Sequence, residues 1–128
     1  MVASVIVGMM RIKNEARWIE RVLRSMLPVC ERIFILDDHS TDGTAEICER
    51  FSAVTLYRSP FEGINEVRDK NFLLDRLAEV NPDWVVAIDG DEEIAPGGCE
   101  EIKRLAARSD CDALKFQVLY LWNDEQHI

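Results

Sequence analysis

Apolar residues in this chain gather into short runs of two kinds, continuous and periodic. The segment "VASVIVGMM" (residues 2–10) is unbroken and rich in β-branched side chains, the pattern of a strand buried on both faces. "RIFILDD" (32–38), "AVTLYRS" (53–59), "WVVAID" (84–89) and "ALKFQVLYLW" (113–122) read as further strands. Between them, apolar positions recur every three or four residues. Trp18, Ile19, Val22, Leu23 and Met26 predict a helix from residue 15 to about residue 27, with Asn14 placed to cap it. A second helix is expected over 41–51, with Ser40 or Thr41 as cap and Asp42 at its positive end. Val67, Phe72, Leu74, Leu77 and Ala78 trace a third over 64–80, stopped by "NPD", and "GGCEEIKRLAAR" (97–108) reads as a short fourth.

Alternation of strand and helix predicts an α/β fold, a Rossmann-like, mostly parallel sheet with helices on both faces. No repeat, low-complexity tract or linker divides residues 1–128, so one domain is expected. In such sheets ligands sit outside the carboxyl ends of the strands, where strand order reverses. The residues that follow each strand are therefore the ones to weigh. They are Arg11, Lys13, Asn14 and Glu15 after the first strand; Asp37, Asp38 and His39 at the end of the second; and Asp89 and Asp91 at the end of the fourth.

Composition narrows the function classes. A chain of 128 residues, 48% hydrophobic and 30% charged, can bury the modest core of one folded domain. Its net charge of −9 leaves no basic face to neutralise phosphates, which excludes nucleic acid as the expected partner. Cys30, Cys48, Cys99 and Cys111 show no C-x-x-C spacing and read as small buried hydrophobes of a reducing compartment. No apolar stretch approaches the roughly 18 residues of a spanning helix, and no secretory pattern opens the chain. A cytoplasmic location is the expectation.

The acids at the strand ends carry the candidate chemistry. Asp89, Asp91, Glu92 and Glu93 crowd four carboxylates into five residues, which repel unless water or a cation offsets them. Asp89 and Asp91 flank Gly90, so in an extended segment they share one side, and paired carboxylates suit a hard cation such as Mg2+ or Mn2+. An acidic turn that merely ends a strand accounts for the same spacing. Asp37 and Asp38 lie upstream of the second helix cap, where an acid can accept bonds from a ribose hydroxyl or a base N–H. The G-x-G-x-x-G loop of nicotinamide cofactors is absent after the first strand, where "GMMRIKNE" stands. Arg11, Lys13 and Arg68 are the candidate counter-charges, whereas Arg17, Arg21 and Arg24 suit a solvated helix face.

Taken together, "SVIVGMMRIKNEARWIERVLRSML", "IFILDDHSTDGTAEICERF", "INEVRDKNFLLDRL" and "DWVVAIDGDEEI" resemble the inverting family 2 glycosyltransferases of GT-A fold, over most of residues 4–94. The resemblance implies a nucleotide-diphospho-sugar donor, UDP- or GDP-linked, and an unspecified acceptor. It also implies that Arg11, Asn14 and Glu15 line the nucleotide side, that Asp38 with Asp37 beside it holds the base or ribose, and that Arg68 touches the nucleotide. Asp89 would then face the ribose or the metal, and Asp91 would be the main ligand of a divalent cation.

The chain departs from the family pattern where His39 replaces a glycine and Asp69 an asparagine. After residue 100 no counterpart of the family's catalytic base stands out. Glu100, Glu101, Asp110 and Asp112 read as a solvated helix face and a turn. The expectation is thus a donor-binding part of a longer enzyme, whose fifth strand offers an apolar surface for pairing with a second copy. Two other classes share the alternating architecture. A phospho-receiver module would carry its acidic pair after the first strand, and a sugar-nucleotidyltransferase would carry a glycine-rich basic loop there.

Overall fold

A computed structural model of the chain describes residues 4–108. Its elements are β1 (Ile6–Ile12), α1 (Ile19–Met26), β2 (Arg32–Asp37), α2 (Thr44–Glu49), β3 (Val54–Arg58), α3 (Glu66–Leu77), a 3-10 turn (Ala78–Val80), β4 (Trp84–Ala87) and α4 (Gly98–Ala106). The fifth strand expected over 113–122, and the pairing surface expected of it, lie outside the described residues. So do Asp110, Cys111 and Asp112.

All four strands join one parallel sheet in the order β3-β2-β1-β4. The chain steps from β1 outward to β3, then returns to place β4 on the other side of β1. Strand order therefore reverses beside β1, and the carboxyl ends of β1, β2 and β4 share one edge. Side chains alternate across the sheet. Ile6, Met10 and Ile12 of β1, with Ile33 and Ile35 of β2, pack beneath Ile19, Leu23 and Met26 of α1, Cys48 of α2 and Ile102 of α4. On the opposite face Val7, Met9, Phe34 and Leu36 meet Leu73 and Leu77 of α3. Helices thus cover both faces, as the alternating pattern requires.

Several boundaries differ from the sequence reading, each for a local reason. β1 runs two residues further than expected, because Ile12 is buried under α1 and pairs with Asp37. Arg11 is consequently a strand residue on the α3 face. α1 begins only at Ile19, since residues 15–18 form a preceding turn closed by the Trp18 and Ile19 amides on the Glu15 carbonyl. Asn14 does not cap this helix. It adopts a left-handed backbone (φ 51°) and its Oδ1 accepts from the Thr41 amide at 2.8 Å. α2 is shorter than expected at both ends and starts after Gly43, whose φ of 92° turns the chain into the helix. Neither Ser40 nor Thr41 is its cap.

α3 holds the largest departure in facing. Its buried residues are Asp69, Leu73 and Leu77, four apart, whereas Val67 is 72% exposed and Leu74 is also exposed. Asn65 caps it, with Oδ1 accepting from the Arg68 amide at 2.9 Å. Trp84 opens β4, and its indole N–H donates to the Ala106 carbonyl at 2.9 Å, tying β4 to the end of α4.

Candidate functional site

Two loops at the carboxyl edge, residues 13–18 after β1 and 38–43 after β2, are laced together by their polar side chains. The Asn14 amide donates to Ser40 Oγ at 2.8 Å, the Glu15 amide to Thr44 Oγ1 at 2.8 Å, and the Ala16 amide to Asp42 Oδ2 at 3.1 Å. Asn14 Oδ1 returns one bond to the Thr41 amide. The Thr44 hydroxyl donates in turn to Asp42 Oδ1, and this bond holds the Asp42 carboxyl below its ordinary range. Asn14 and Ser40, expected to cap helices, instead fasten one loop to the other, while Asp42 does both, its Oδ1 accepting from the Thr44 amide at the start of α2 at 3.1 Å as expected. The four bonds between the strand-end segments each satisfy a backbone donor that would otherwise be left open.

Asp89, Gly90 and Asp91 form a turn at the end of β4, closed by the Asp89 amide on Glu92 Oε1 at 2.7 Å and the Glu92 amide on the Asp89 carbonyl at 3.0 Å. Gly90 is buried against the first loop. A Cβ there would lie 2.9 Å from Ile12 Cγ2 and 3.0 Å from Glu15 Cγ, so only glycine allows the turn to seat so closely. Beyond the turn the chain is pinned to α1 by the Arg21–Glu93 ion pair at 2.6 Å and by the Ile94 amide on Ser25 Oγ at 3.0 Å.

This seating brings acids together. Burial, then the charges of Asp91, Asp42 and Asp89, raise the Glu15 carboxyl above the ordinary carboxylate range. Asp89 and Asp91 are exposed, and among the described residues neither they nor Glu15 has an ion-pair partner. Such crowded hard oxygens fit a divalent cation. Among the described residues no group of three or more His, Cys, Asp or Glu side chains is gathered closely enough to enclose one. An ion on Asp89 and Asp91 would therefore draw its remaining ligands from water or from a bound molecule.

The paired acids after β2 separate. Asp37 is fully buried on the α2 face, where Oδ2 accepts from the Ser40 amide at 3.2 Å and faces Arg58 at 3.5 Å, while Oδ1 has no partner. Asp38 points the other way, as the alternation of a strand requires. It is nearly buried, and its Oδ1 stands 3.9 Å from His39 Nε2. His39, in a left-handed conformation (φ 60°), donates that Nε2–H to the Phe61 carbonyl at 2.9 Å and so ties the β3–α3 loop to the end of β2. Asp38 thus stands at the edge with Arg11, whereas Asp37 is set apart from it in the interior.

Asp69, which the sequence pattern offered only as a departure, turns out to be central to the basic side. It is 2% exposed. Arg68 Nε and an Arg68 terminal nitrogen meet its Oδ1 at 3.1 and 3.0 Å, and Arg11 Nε stands 3.5 Å from its Oδ2. A charged residue in the buried register of α3 was the available signal, since an unpaired carboxylate would not remain there. Lys13 is exposed at the start of the first loop. A shallow cavity of about 330 Å³ lies at the opposite, amino edge, among Arg24, Leu27, Arg50 and Phe51, and has no part in this arrangement.

Comparison with known proteins accords with this geometry. The model of glycosyl transferase family 2 matches residues 9–121. An uncharacterised glycosyltransferase of Rickettsia felis is 29% identical over 117 residues, and one of Rickettsia bellii 33% identical over 112. The alignments cover 89% and 85% of this chain but 39% and 35% of those relatives, so the chain spans well under half of their length. Among solved structures, S. aureus TarS 1–349 in complex with UDP superposes with a TM-score of 0.65 at 21% identity, over 80% of this chain and 31% of that one. The same protein with UDP-GlcNAc gives a TM-score of 0.62 at 21% identity, over 80% and 30%. The chain belongs to glycosyl transferase family 2 and has the GT-A fold.

Proposed function

We propose that the carboxyl edge binds a nucleotide-diphospho-sugar, UDP- or GDP-linked, and that the protein transfers the sugar with inversion to an acceptor hydroxyl. The observation that carries this reading is the unpaired Asp89–Gly90–Asp91 turn, seated on Glu15 beside the only reversal of strand order in the described sheet. The UDP and UDP-GlcNAc complexes of the similarly folded TarS support the choice of ligand class.

In this reading Asp38 accepts a hydrogen bond from the base or ribose, Arg11, Asn14 and Glu15 border the nucleotide, and Arg68 flanks it from the start of α3. Asp91, with Asp89, holds Mg2+ or Mn2+, which when bound takes up negative charge developing on the leaving diphosphate. The laced loops keep these groups in position before the ligand arrives, which reduces the ordering cost of binding. The base that deprotonates the acceptor is left unassigned. Glu100 and Glu101 are exposed on α4, where Arg104 engages Glu101.

A thermal-shift panel of UDP, GDP, CDP and their sugars, with and without Mn2+, tests the reading. Ligand at roughly 100 times its dissociation constant should add about 2.7 kcal/mol of stability. Asp91→Asn keeps the size of the side chain and removes its charge, so the Mn2+-dependent part of that gain is expected to vanish while the unliganded protein melts no lower than the wild type. Equal Mn2+-dependent gains in the variant and the wild type would overturn the metal assignment.

A further inference from the structure

The edge described above is acidic almost throughout. Glu15, Asp38, Asp42, Asp89 and Asp91 all stand on it, in a chain of net charge −9. A diphosphate needs positive charge there besides any metal ion. On the α3 side of the edge two guanidiniums, Arg11 and Arg68, share the buried carboxylate of Asp69 and leave the trio with one net positive charge, whereas Arg58 at the end of β3 faces Asp37 and Arg17 stacks on Trp18.

Their donors are used differently. A guanidinium has five N–H groups. Arg68 directs Nε and one terminal nitrogen to Asp69, that same nitrogen to the Gly63 carbonyl at 2.8 Å, and the other to the Glu62 carbonyl at 3.4 Å. Its Cζ also lies 4.2 Å from the centroid of the Phe61 ring. Arg68 is thereby committed to holding residues 61–63 against the start of α3. Arg11 turns only Nε toward Asp69, and its terminal nitrogens have no partner among the described residues. It projects from the end of β1, beside the strand-order reversal, on rigid backbone paired with β2 at Leu36.

Resting on the nucleotide-binding reading above, we infer that Arg11 is the guanidinium that meets the diphosphate, that Asp69 is a positioning residue acting through Arg11, and that Arg68 serves as the pin of the 61–63 loop. Asp69 holds Arg11 by Nε, so that its four terminal N–H groups remain for two phosphate oxygens in the fork geometry suited to them. An asparagine at this place would leave two guanidiniums without a buried counter-charge, and Arg11 would lose its fixed direction.

Calorimetry of UDP, GDP and CDP with Mn2+ tests this on the wild type, Arg11→Gln, Arg11→Lys, Asp69→Asn and the double variant Arg11→Gln/Asp69→Asn. For whichever nucleotide binds, Arg11→Gln should weaken binding roughly tenfold or more, as expected for charge-assisted hydrogen bonds. Arg11→Lys should recover part of that loss through its charge alone. Asp69→Asn should weaken binding as well, and the double variant no further than Arg11→Gln, because the two residues act as one unit. In the unliganded protein, Asp69→Asn should move the Arg11 Nε–H NMR signal while the backbone amide spectrum stays dispersed. Unchanged affinity in Arg11→Gln, no recovery in Arg11→Lys, or losses that add in the double variant would each overturn the assignment and leave nucleotide binding standing. Failure of the wild type to bind any of the three nucleotides would overturn the nucleotide reading itself, and the roles of Arg11 and Asp69 with it.

Discussion

Glu15 shows how a single side chain can record the cost of a site. Burial and the neighbouring acids raise its pKa, so the folded protein takes up a proton at Glu15 more readily than the unfolded chain does. Its ionised form therefore costs stability above the raised pKa, and that cost is relieved as pH falls through the folded value toward the ordinary glutamate value of the unfolded chain. Asp42 has the opposite sign. Its pKa is lowered by the Thr44 hydroxyl, so its contribution is present above the unfolded value and lost as pH falls through the folded one. Glu15→Gln, which keeps the methylenes that Gly90 rests on, is expected to raise the melting temperature of the unliganded protein at pH 7. That advantage should shrink as the pH is lowered through the Glu15 range, and a variant no more stable than the wild type at pH 7 would contradict the crowding of charge. The types of these residues were readable in the sequence, and so was their gathering at one edge. Their partners were not. Asn14 and Ser40 have the composition of helix caps, and local pattern cannot distinguish a cap from a bond to a loop 26 residues away.

At the scale of the element, the strands were the most legible feature, since a parallel strand covered on both faces must be continuously apolar. α3 was the least legible. Asp69 occupies a buried position in the 69, 73, 77 register and disguises it, while Val67 and Leu74 supply a false apolar stripe. Only the arginines that meet Asp69 make a carboxylate tolerable there, and one of them, Arg11, comes from a strand far away in sequence. The corrected facing has a measurable consequence. Leu73→Ala is expected to cost about 2–5 kcal/mol in urea unfolding, as a large-to-small change in a packed core. Val67→Ala, at an exposed position, should stay within about 0.5 kcal/mol. Comparable losses at the two positions would mean that α3 is turned differently about its axis.

Across the whole molecule, the described thiols follow the core. Cys30, Cys48 and Cys99 are buried and unbridged, as the spacing of the cysteines suggested. Burial pushes Cys30 and Cys48 up to about 12 and raises Cys99 as well. Since the thiolate is the reactive form, these three should resist iodoacetamide at pH 8 in the folded protein and label at the rate of unfolding. Mass mapping that finds any of them alkylated rapidly without denaturant would contradict their packing between the sheet and its helices. Among the described residues no helix is long and apolar enough to span a bilayer.

The lacing of the two edge loops carries one further consequence, for how such a site can change over generations. The amides of Asn14, Glu15 and Ala16, three in succession, are already engaged by side chains of the neighbouring loop. In dinucleotide-binding folds the corresponding amides cradle phosphate, which ties recognition to the course of the main chain. Here that backbone is unavailable, and selection can act on ligand preference one side chain at a time without redrawing the loop. A scaffold wired in this way can diversify the ligands of its carboxyl edge by point substitution while its architecture stays fixed.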